Sequence, residues 1–424
     1  MLAYHFVLAK AAEVAYRYPS SELIVIGVTG TNGKSSTVNF IAQLLAALGE
    51  KVGYTSTAGF MIAGEEVANR MKMTMPGRFA LQRLLRRMVV AECRYAVVET
   101  SSQGIAQYRH LGVNYDVAVF TNLTPEHIES HGGFANYKAA KGELFRHLTA
   151  RARKTIDGKR VAKVIVANAD DEHAEYFLAF SADRTMRFGW DDVPDDDAVM
   201  ARLIERNADG AMIDVNGLPC QLKLFARYEW QNAIAAITAV TALGFSLDAV
   251  VRAAQTLKQV PGRFEWIRCG QPFAVIVDYA YEPYALAALY DAIAPLGFSR
   301  VIGVHGSAGG GRDAARRPQI GKLAAERESI VIVTNEDPYD EDPKAIIEAV
   351  AVGSRKAGKR DGHDLFVIEN RAEAIDKAIG LAAAGDVVLV TGKGSEPVMA
   401  VAGGTVPWDD REAARHALAK RGFV

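Results

Sequence analysis

Cysteine is scarce in this chain, and its few copies follow no pattern. Only Cys93, Cys220 and Cys269 occur among 424 residues, and none belongs to a C-x-x-C pair. An odd number of scattered cysteines argues against a disulfide framework and against a zinc site built on thiolates. The composition therefore favours a reducing compartment, and we expect a cytoplasmic protein.

The sequence also lacks an excess of charge and a long apolar run. Lysine and arginine number 49 against 50 aspartate and glutamate, a net charge of -1, so no electrostatic footprint for nucleic acid is expected. Charged residues such as Lys10, Glu13 and Arg17 interrupt the opening segment, which argues against a signal peptide or membrane span. We expect small-molecule substrates, no nucleic acid partner and no membrane span.

Short β-branched segments alternate with helical segments along most of the chain. Strands such as LIVIGVTG, YAVVET and VAVFTNL, separated by helices, predict a mostly parallel sheet with helices on both faces. Residues 185–225 differ, because turns at ADG and NG predict short antiparallel strands there. A second alternation begins at Phe273. The sequence therefore predicts an α/β fold in two domains, residues 1–259 and 260–424.

The segment GVTGTNGKSS, residues 27–36, lies between a predicted strand and a predicted helix. A glycine loop in this place presents backbone N–H groups at the positive end of a helix, where phosphate oxygens are stabilised. It departs from G-x-x-x-x-G-K-[ST] because Val28 replaces the first glycine, and an ordinary tight turn is the alternative. We expect Lys34 to reach the β- and γ-phosphates and Ser35 or Ser36 to hold Mg²⁺. The nucleotide-binding residues predicted in this loop are Gly30, Thr31, Asn32, Gly33, Lys34, Ser35 and Ser36.

Seven segments, read in order, resemble the Mur ligase family of amide-forming enzymes. They are GVTGTNGKSS, VVETSSQGI, TNLTPEHIESHGG, YKAAKGELF, EWQNAIAA, VPGRFE and DYAYEP. The resemblance extends from residue 23 to about residue 415. It implies a central P-loop domain that binds ATP, followed by a Rossmann-like C-terminal domain.

The resemblance also implies roles for individual residues. Ser35, Glu99, His127 and a carbamylated Lys141 would hold two Mg²⁺ ions, since a carbamate offers the oxygen ligands that Mg²⁺ prefers. Taken alone, Lys141 fits a salt-bridge residue on a helix surface better, and the metal-binding role is favoured only when it is read together with His127 and Tyr137. Asn232 would approach adenine, Asp278 the ribose and Arg263 a phosphate of ATP. Arg312, in GGGRDAARRP, would close over the acyl-phosphate site, or lie in a solvated surface loop. The catalytic residues expected are Lys34, Lys141, His127, Glu99 and Arg312.

Three segments near the C-terminus resemble the branch of the family that adds the third residue of the peptidoglycan stem peptide. They are TNEDPYDEDP, VTGKGSE and WDDREAAR. The resemblance implies transfer of an amino acid to UDP-N-acetylmuramoyl dipeptide, or a similar carboxylate acceptor, through an acyl phosphate. Tyr339 stands where diaminopimelate-adding enzymes have an arginine, and a tyrosine gives no bidentate, charged grip on a carboxylate. The substrate-binding residues expected are Thr74, Ser101, Asp337, Tyr339, Lys393 and Glu396.

The segment before the phosphate loop departs from the family pattern. Members usually carry a domain there that binds the UDP-sugar, and here about one helix precedes residue 23, so we expect that domain to be missing. A partner that supplies it is one interpretation. A folylpolyglutamate or poly-amino-acid ligase, which manages without such a domain, is an alternative. A switch or scaffold that binds ATP without ligation is another.

Overall fold

Two compact units make up the part of the chain that the structure describes. The computed structural model describes residues 2–67, 69, 71, 73–124, 131–191, 197–207, 210–311 and 314–424. The units are Met1–Lys258 and Gln259–Val424.

The strands of the first unit form one large sheet and a separate small hairpin. In chain order they are β1 (Ile24–Thr29), β2 (Val52–Thr55), β3 (Phe60–Ile62), β4 (Glu65–Val67), β5 (Tyr95–Glu99), β6 (Val117–Phe120), β7 (Thr155–Ile156), β8 (Lys159–Arg160), β9 (Val164–Asn168), β10 (Arg184–Trp190), β11 (Ala198–Asn207), β12 (Gly210–Val215) and β13 (Leu218–Leu222).

Most of the large sheet is parallel. Its strand order is β13-β12-β11-β10-β9-β6-β1-β5-β2-β3-β4. The strands from β11 to β2 in this order run parallel to their neighbours, whereas β12 and β13 at one edge and β3 and β4 at the other pair antiparallel. The predicted fold, a mostly parallel sheet with a small antiparallel part, is confirmed.

One predicted strand direction is wrong. β10 is parallel to both of its neighbours, β9 and β11, although the sequence predicts antiparallel strands from residue 185 onwards. Alternating apolar and polar residues show that a strand has one solvated face, but they do not encode the direction of the neighbouring strand. The antiparallel prediction holds for β11, β12 and β13, with β12 and β13 joined at Asn216-Gly217.

Helices of the first unit connect and cover these strands. The inner strands β1, β5, β6 and β9 are buried along their whole length, as is typical of parallel strands covered on both faces. The described helices are α1 (Leu2–Ala15), α2 (Lys34–Ala47), α3 (Arg78–Val90), α4 (Ser102–Ala106), α5 (Phe134–Ala150), α6 (Ala174–Leu178), α7 (Arg227–Ala242) and α8 (Leu247–Ala254), with a short 3₁₀ helix at Pro19–Ser21.

The second unit is a smaller α/β unit with its own core. Its described elements are β14 (Glu265–Trp266), β15 (Ala274–Asp278), α9 (Pro283–Ile293), a 3₁₀ helix (Ala294–Leu296), β16 (Val301–His305), α10 (Arg316–Arg327), β17 (Ile330–Val333), α11 (Pro343–Lys356), β18 (Leu365–Val367), α12 (Arg371–Leu381), β19 (Val387–Thr391), β20 (Val398–Val401), β21 (Gly404–Pro407) and α13 (Asp410–Ala419).

The main sheet of the second unit has the order β14-β15-β19-β16-β17-β18. β15, β19, β16, β17 and β18 are parallel, and β14 pairs antiparallel at the edge. Apolar residues of α12 and α13 pack on one face of this sheet, against Val277, Val304 and Val390. The carboxyl ends of the parallel strands therefore meet at one edge, where ligands of such sheets usually bind.

None of the helices in the described ranges is both long and apolar enough to cross a membrane.

Candidate active site

The predicted phosphate loop joins the central strand β1 to the start of α2. Gly33 is the N-cap residue of α2, at φ 81°, and no side chain caps the helix there. The first N–H groups of a helix need acceptors, and they attract negative charge. The amino-terminus of α2 therefore offers the backbone donors that a phosphate group needs.

Gly33 is required by its surroundings as well as by its backbone. A Cβ atom at this position would collide with the Oδ1 atom of Asn232, on α7, and the positive φ disfavours any side chain. This close approach places Asn232, the residue predicted to meet adenine, directly against the phosphate loop.

Two residues after β6 fix the shape of the loop. Asn122 accepts from Asn32 N through Oδ1 at 2.8 Å and donates through Nδ2 to Asn32 O at 3.0 Å. Its carbonyl oxygen accepts from Thr31 N at 2.8 Å, and Thr121 Oγ1 donates to Asn32 O at 2.7 Å. Sequence reasoning missed Thr121 and Asn122, although a polar pair directly after a buried strand was an available signal.

Ser35 and Glu99 form a buried pair of hard oxygen donors. Ser35 Oγ donates to Glu99 Oε2 at 2.9 Å, and the two residues are 6% and 1% exposed. Glu99 ends β5, the neighbour of β1, so that both residues lie at the carboxyl edge of the sheet. Mg²⁺ is bound through one or two carboxylates together with hydroxyl and phosphate oxygens. The arrangement therefore fits Mg²⁺ beside a phosphate.

Thr57, which sequence reasoning also missed, orients the Glu99 carboxylate. Its backbone N–H donates to Glu99 Oε2 at 2.6 Å, and its Oγ1 donates to Oε1 at 3.2 Å. Hydrogen bonds from the surrounding residues fix the direction of a metal-binding carboxylate. Thr57 follows β2, whose carboxyl end meets the same edge of the sheet.

Lys141 on α5 reaches the phosphate loop from within the fold. Its Nζ donates to Gly30 O at 2.6 Å and lies 4.4 Å from the centre of the Tyr137 ring, and Lys141 is 1% exposed. Tyr137 Oη lies 3.1 Å from Thr31 Oγ1. The surface position in that alternative is therefore wrong, because Lys141 is buried against the loop.

Three predicted catalytic residues remain, namely Lys34, His127 and Arg312. Lys34 Nζ donates to Thr31 O at 2.6 Å. His127 and Arg312 lie outside the described residues. In the described ranges, no three His, Cys, Asp or Glu side chains are grouped as a metal site. Among the described residues of the predicted metal-ligand set, Glu99 is the only His, Cys, Asp or Glu. The lack of a group of three such side chains in the described ranges is therefore compatible with the predicted metal site.

The predicted acceptor residues of the first unit lie on neighbouring loops. Ser101 is the N-cap residue of α4, and its Oγ accepts from Gly104 N at 3.2 Å. Thr74 is half-buried in the segment that leads into α3. Both therefore belong to loops that begin or end helices, where side chains can reach a ligand.

In the second unit, Asp278 and Arg263 lie at the carboxyl end of β15. Asp278 accepts from Phe264 N and from Ala280 N, each at 2.7 Å. Burial raises the pKa of its carboxyl group, and the nearby Arg263 guanidinium opposes that rise. The Arg263 guanidinium stacks 4.0 Å from the centre of the Tyr279 ring. These two predicted nucleotide-binding residues are therefore held close to each other.

Lys393 joins two of the predicted amino-acid-binding residues. Its Nζ donates to both carboxylate oxygens of Asp337 at 2.9 Å, to Glu396 Oε2, and to Val398 O at 2.8 Å. Burial opposes the charge on Lys393, but the carboxylates of Glu396 and Asp337 outweigh burial and raise its pKa. An ammonium has three N–H donors, so Lys393 is fully occupied by these acceptors.

Tyr339 lies on the same loop as Asp337. Its backbone has a φ of 53°, and its N–H donates to Ala400 O at 3.3 Å. Ala400 N in turn donates to Asp337 Oδ1 at 2.6 Å. The loop after β17 is thus tied to β20, and Tyr339 stands beside the Asp337–Lys393–Glu396 cluster.

These features define a nucleotide-binding α/β protein, and sequence comparison assigns its family. Residues 28–240 match the Mur ligase middle domain, and residues 262–394 match the Mur ligase glutamate ligase domain. The chain belongs to the Mur ligase family. It is therefore an ATP-dependent, ADP-forming ligase of carboxylates and amines, a family that uses ATP and Mg²⁺.

Named relatives share most of the chain. A UDP-N-acetylmuramyl-tripeptide synthetase of Roseiflexus sp. (strain RS-1) is 37% identical over 98% of this chain and 82% of its own length. A UDP-N-acetylmuramoyl-L-alanyl-D-glutamate–2,6-diaminopimelate ligase of Geobacillus kaustophilus (strain HTA426) is 36% identical over 98% of this chain and 83% of its own length. A solved structure of a ligase with the latter name has a TM-score of 0.63 and 27% identity, over 99% of this chain and 84% of that chain.

The contacts of Glu99 generate a first prediction. Thr57→Val removes the hydroxyl donor to Glu99 and keeps the shape of the side chain, so we expect the Mg²⁺ concentration for half-maximal ATP turnover to rise about tenfold. The measurement is phosphate release at saturating ATP over a range of Mg²⁺ concentrations.

Thr55→Val is the matched control for Thr57→Val. Thr55 lies two residues earlier, is buried, and its Oγ1 has no hydrogen-bond partner among the described residues. We expect this variant to keep the Mg²⁺ dependence of the unmodified protein. Equal Mg²⁺ dependence in both variants would contradict the role assigned to Thr57.

Proposed function

We propose that this ligase adds an amino acid to UDP-N-acetylmuramoyl dipeptide during peptidoglycan precursor synthesis. The proposal is supported by two relatives that are at least 36% identical over 98% of the chain, both named for such substrates. The observation that carries it is the buried Ser35–Glu99 pair beside the uncapped amino-terminus of α2, because oxygen ligands suited to Mg²⁺ lie there next to backbone donors suited to a phosphate. Consumption of ATP and three free cysteines support a cytoplasmic location.

The proposed reaction proceeds through an acyl phosphate. A carboxylate oxygen of the acceptor attacks the γ-phosphorus of ATP, and ADP leaves. The amine of the amino acid then attacks the acyl carbon, loses a proton and expels phosphate. Catalysis of phosphoryl transfer is mainly positioning and neutralisation of charge. The α2 amino-terminus and Lys34 supply these functions from the phosphate loop.

Two Mg²⁺ ions, when bound, would supply positive charge that neutralises the phosphate groups. Ser35 and Glu99 would hold one of them. Glu99, His127 and a carbamylated Lys141 would hold the other. The burial of Lys141 supports this modification, because a carbamate turns a buried amine beside the loop into a pair of oxygen ligands.

We assign ATP binding mainly to residues 1–259 and amino-acid binding to residues 260–424. Asn232 is proposed to contact adenine, Asp278 the ribose, and Arg263 and Arg312 phosphate groups. Thr74 and Ser101 are proposed to contact the acceptor. Asp337, Tyr339, Lys393 and Glu396 are proposed to line the amino-acid site, in which Tyr339 replaces the arginine of diaminopimelate-adding enzymes.

The proposed function predicts phosphate release that depends on both co-substrates. We expect ATP turnover with Mg²⁺ only when UDP-N-acetylmuramoyl dipeptide and one amino acid are both present. The measurement is phosphate release with diaminopimelate, lysine, ornithine and other amino acids in turn, and mass spectrometry of each product.

Lys34→Ala is the control for this experiment, because it should abolish turnover of ATP. Turnover with a folate or a poly-amino acid, but not with the UDP-linked acceptor, would contradict the proposed substrate. Phosphate release that is independent of any acceptor would contradict ligation itself.

The proposed carbamate generates a separate prediction. Lys141→Ala should lose ligation, and a short carboxylate in the buffer should restore part of it by supplying the missing oxygen ligands. Phosphate release and product mass are measured with and without the added carboxylate.

Lys138→Ala is the matched control, on the same helix one turn earlier. Lys138 Nζ lies 4.6 Å from the centre of the Tyr176 ring, and the variant should stay active. Full activity of Lys141→Ala without an added carboxylate would exclude the carbamate.

A further inference from the structure

The outer surface of α1 carries a group of exposed apolar side chains. Among the described residues, five of the fourteen large apolar side chains that are exposed lie between residues 4 and 18, namely Tyr4, Phe6, Val7, Val14 and Tyr18. Single exposed apolar residues are ordinary on a protein surface, but a contiguous group of them marks a surface that contacts another molecule or a membrane. The outer surface of α1 is therefore a candidate docking surface.

Helical spacing places most of this group on one face of α1. Tyr4, Val7, Ala11 and Val14 follow one another at intervals of three and four residues, and all four are exposed. Tyr4 is 63% exposed and Val7 is 61% exposed. The opposite face of the helix packs into the first unit, where Ala9 is buried. We call the exposed face, together with Tyr18 just beyond the helix, the apolar face.

The neighbouring helix α3 fixes the orientation of α1. Arg86 Nε donates to Tyr16 O at 3.0 Å, and its Nη2 donates to Arg17 O at 2.8 Å. The same guanidinium pairs with Glu22 at 2.8 Å. Because these contacts hold the end of α1 from its inner side, the apolar face is directed towards solvent.

A cavity of about 460 Å³ lies beside the apolar face, near the C-terminal end of α1. Val14 and Tyr18 belong both to the lining of this cavity and to the apolar face. Lys10, Arg17 and Arg151 also line the cavity. Apolar and basic side chains that could contact one amphipathic ligand are therefore adjacent.

The charge of this cavity is predominantly positive. Its three basic residues face one carboxylate, that of Glu13, which pairs with Lys10 Nζ at 2.8 Å and with Arg151 Nη2 at 3.2 Å. In the part of the chain that the structure describes, Arg17 has no ion pair. Three cations against one carboxylate leave an excess of two positive charges, so this region attracts anions.

Exposed residues of α3 add to this combination of charge and apolar surface. Arg83 and Arg87 are exposed and have no ion pair among the described residues. Phe79, one turn before Arg83, is 42% exposed. The pair of packed helices α1 and α3 therefore presents both arginine and aromatic side chains to solvent.

We propose that the apolar face and its basic border bind the surface of a lipid bilayer that contains anionic lipids. The apolar side chains enter the layer between the headgroups and the acyl chains, where tyrosine and aliphatic residues of interfacial helices lie. Lys10, Arg17 and Arg151 contact headgroup phosphates. In this arrangement α1 lies on the membrane and does not span it. The proposal goes beyond the proposed function, because it concerns where the ligase is held and not the reaction that it catalyses.

The charge of this surface disfavours a second copy of the chain as its occupant. A twofold contact brings the same surface of both copies together, so the positive charge around Arg17 would face an identical positive charge. Like charges at an interface oppose association, whereas anionic headgroups neutralise them. The charge therefore favours the bilayer.

The test is sedimentation of the full chain with vesicles of defined composition. We expect binding to vesicles of equal parts phosphatidylglycerol and phosphatidylcholine, and binding about tenfold weaker to phosphatidylcholine alone, because that lipid has no net charge. Added salt should weaken the binding, because it screens the basic residues. Equal binding to both kinds of vesicle, or binding to neither, would overturn the proposal.

Two variants separate the apolar contribution from the basic one. Val7→Gln combined with Val14→Gln should weaken vesicle binding about tenfold, because less apolar surface is buried in the bilayer. Arg17→Gln should weaken it about fivefold, because one headgroup contact is lost. All three positions are exposed, so the Tm should not change. Vesicle binding that neither variant weakens would exclude this surface.

Matched controls come from β11, where Arg202 and Ile204 are exposed. Ile204→Gln and Arg202→Gln make comparable chemical changes far from α1 in the sequence, and both variants should bind vesicles as the unmodified protein does. If they weaken binding as much as the α1 variants do, the bilayer contact does not belong to α1 and the proposal fails.

Two further measurements detect other occupants of the apolar face. A dimer in analytical ultracentrifugation that dissociates in the Val7→Gln, Val14→Gln variant, without binding to vesicles, would assign the face to a second copy. Binding to soluble poly-L-glutamate that the same variant weakens, again without binding to vesicles, would assign it to an acidic protein. Either result would overturn the proposal.

Discussion

The uncapped amino-terminus of α2 is the feature on which the first unit depends most. A helix start without a side-chain cap is costly unless another acceptor is present, and a phosphate group is such an acceptor. Its position is set by Gly33, which packs against Asn232, and by Asn122, which holds the backbone of Asn32 in both directions. Glu99 and Lys141 come from other elements and reach this same loop. The elements around β1 therefore serve to place hard oxygen donors and positive charge beside one helix end.

The same physical rule organises the second unit. Its charged residues gather after the carboxyl ends of parallel strands, where loops and helix starts leave polar groups to be satisfied. One group of them, around Lys393, is satisfied internally, whereas Glu336 Oε2 and Arg316 Nε have no hydrogen-bond partner in the part of the chain that the structure describes.

The phosphate loop and the strands and helices around it could be predicted from the sequence, because they depend on the order of residues within short segments. The glycine loop needs a strand before it and a helix after it, and both are visible as patterns in residues 22–49. Glu99 and Lys141 were identified through segments that resemble a family. Thr57 and Asn122 were not, because the role of a single polar residue in a loop can be recognised only when folding brings strands that are distant in sequence next to each other. The predicted direction of β10 was wrong for a similar reason, since tertiary structure decides which strands become neighbours and whether they pair parallel or antiparallel.

Transfer of an oxygen atom from the acceptor to phosphate tests the account most directly. UDP-N-acetylmuramoyl dipeptide labelled with ¹⁸O in both oxygens of its reacting carboxylate is incubated with the ligase, Mg²⁺, ATP and the amino acid. If an acyl phosphate forms, one labelled oxygen remains in the amide product and the other appears in the released phosphate. Phosphate that carries no label, while the amide product accumulates, would contradict the mechanism.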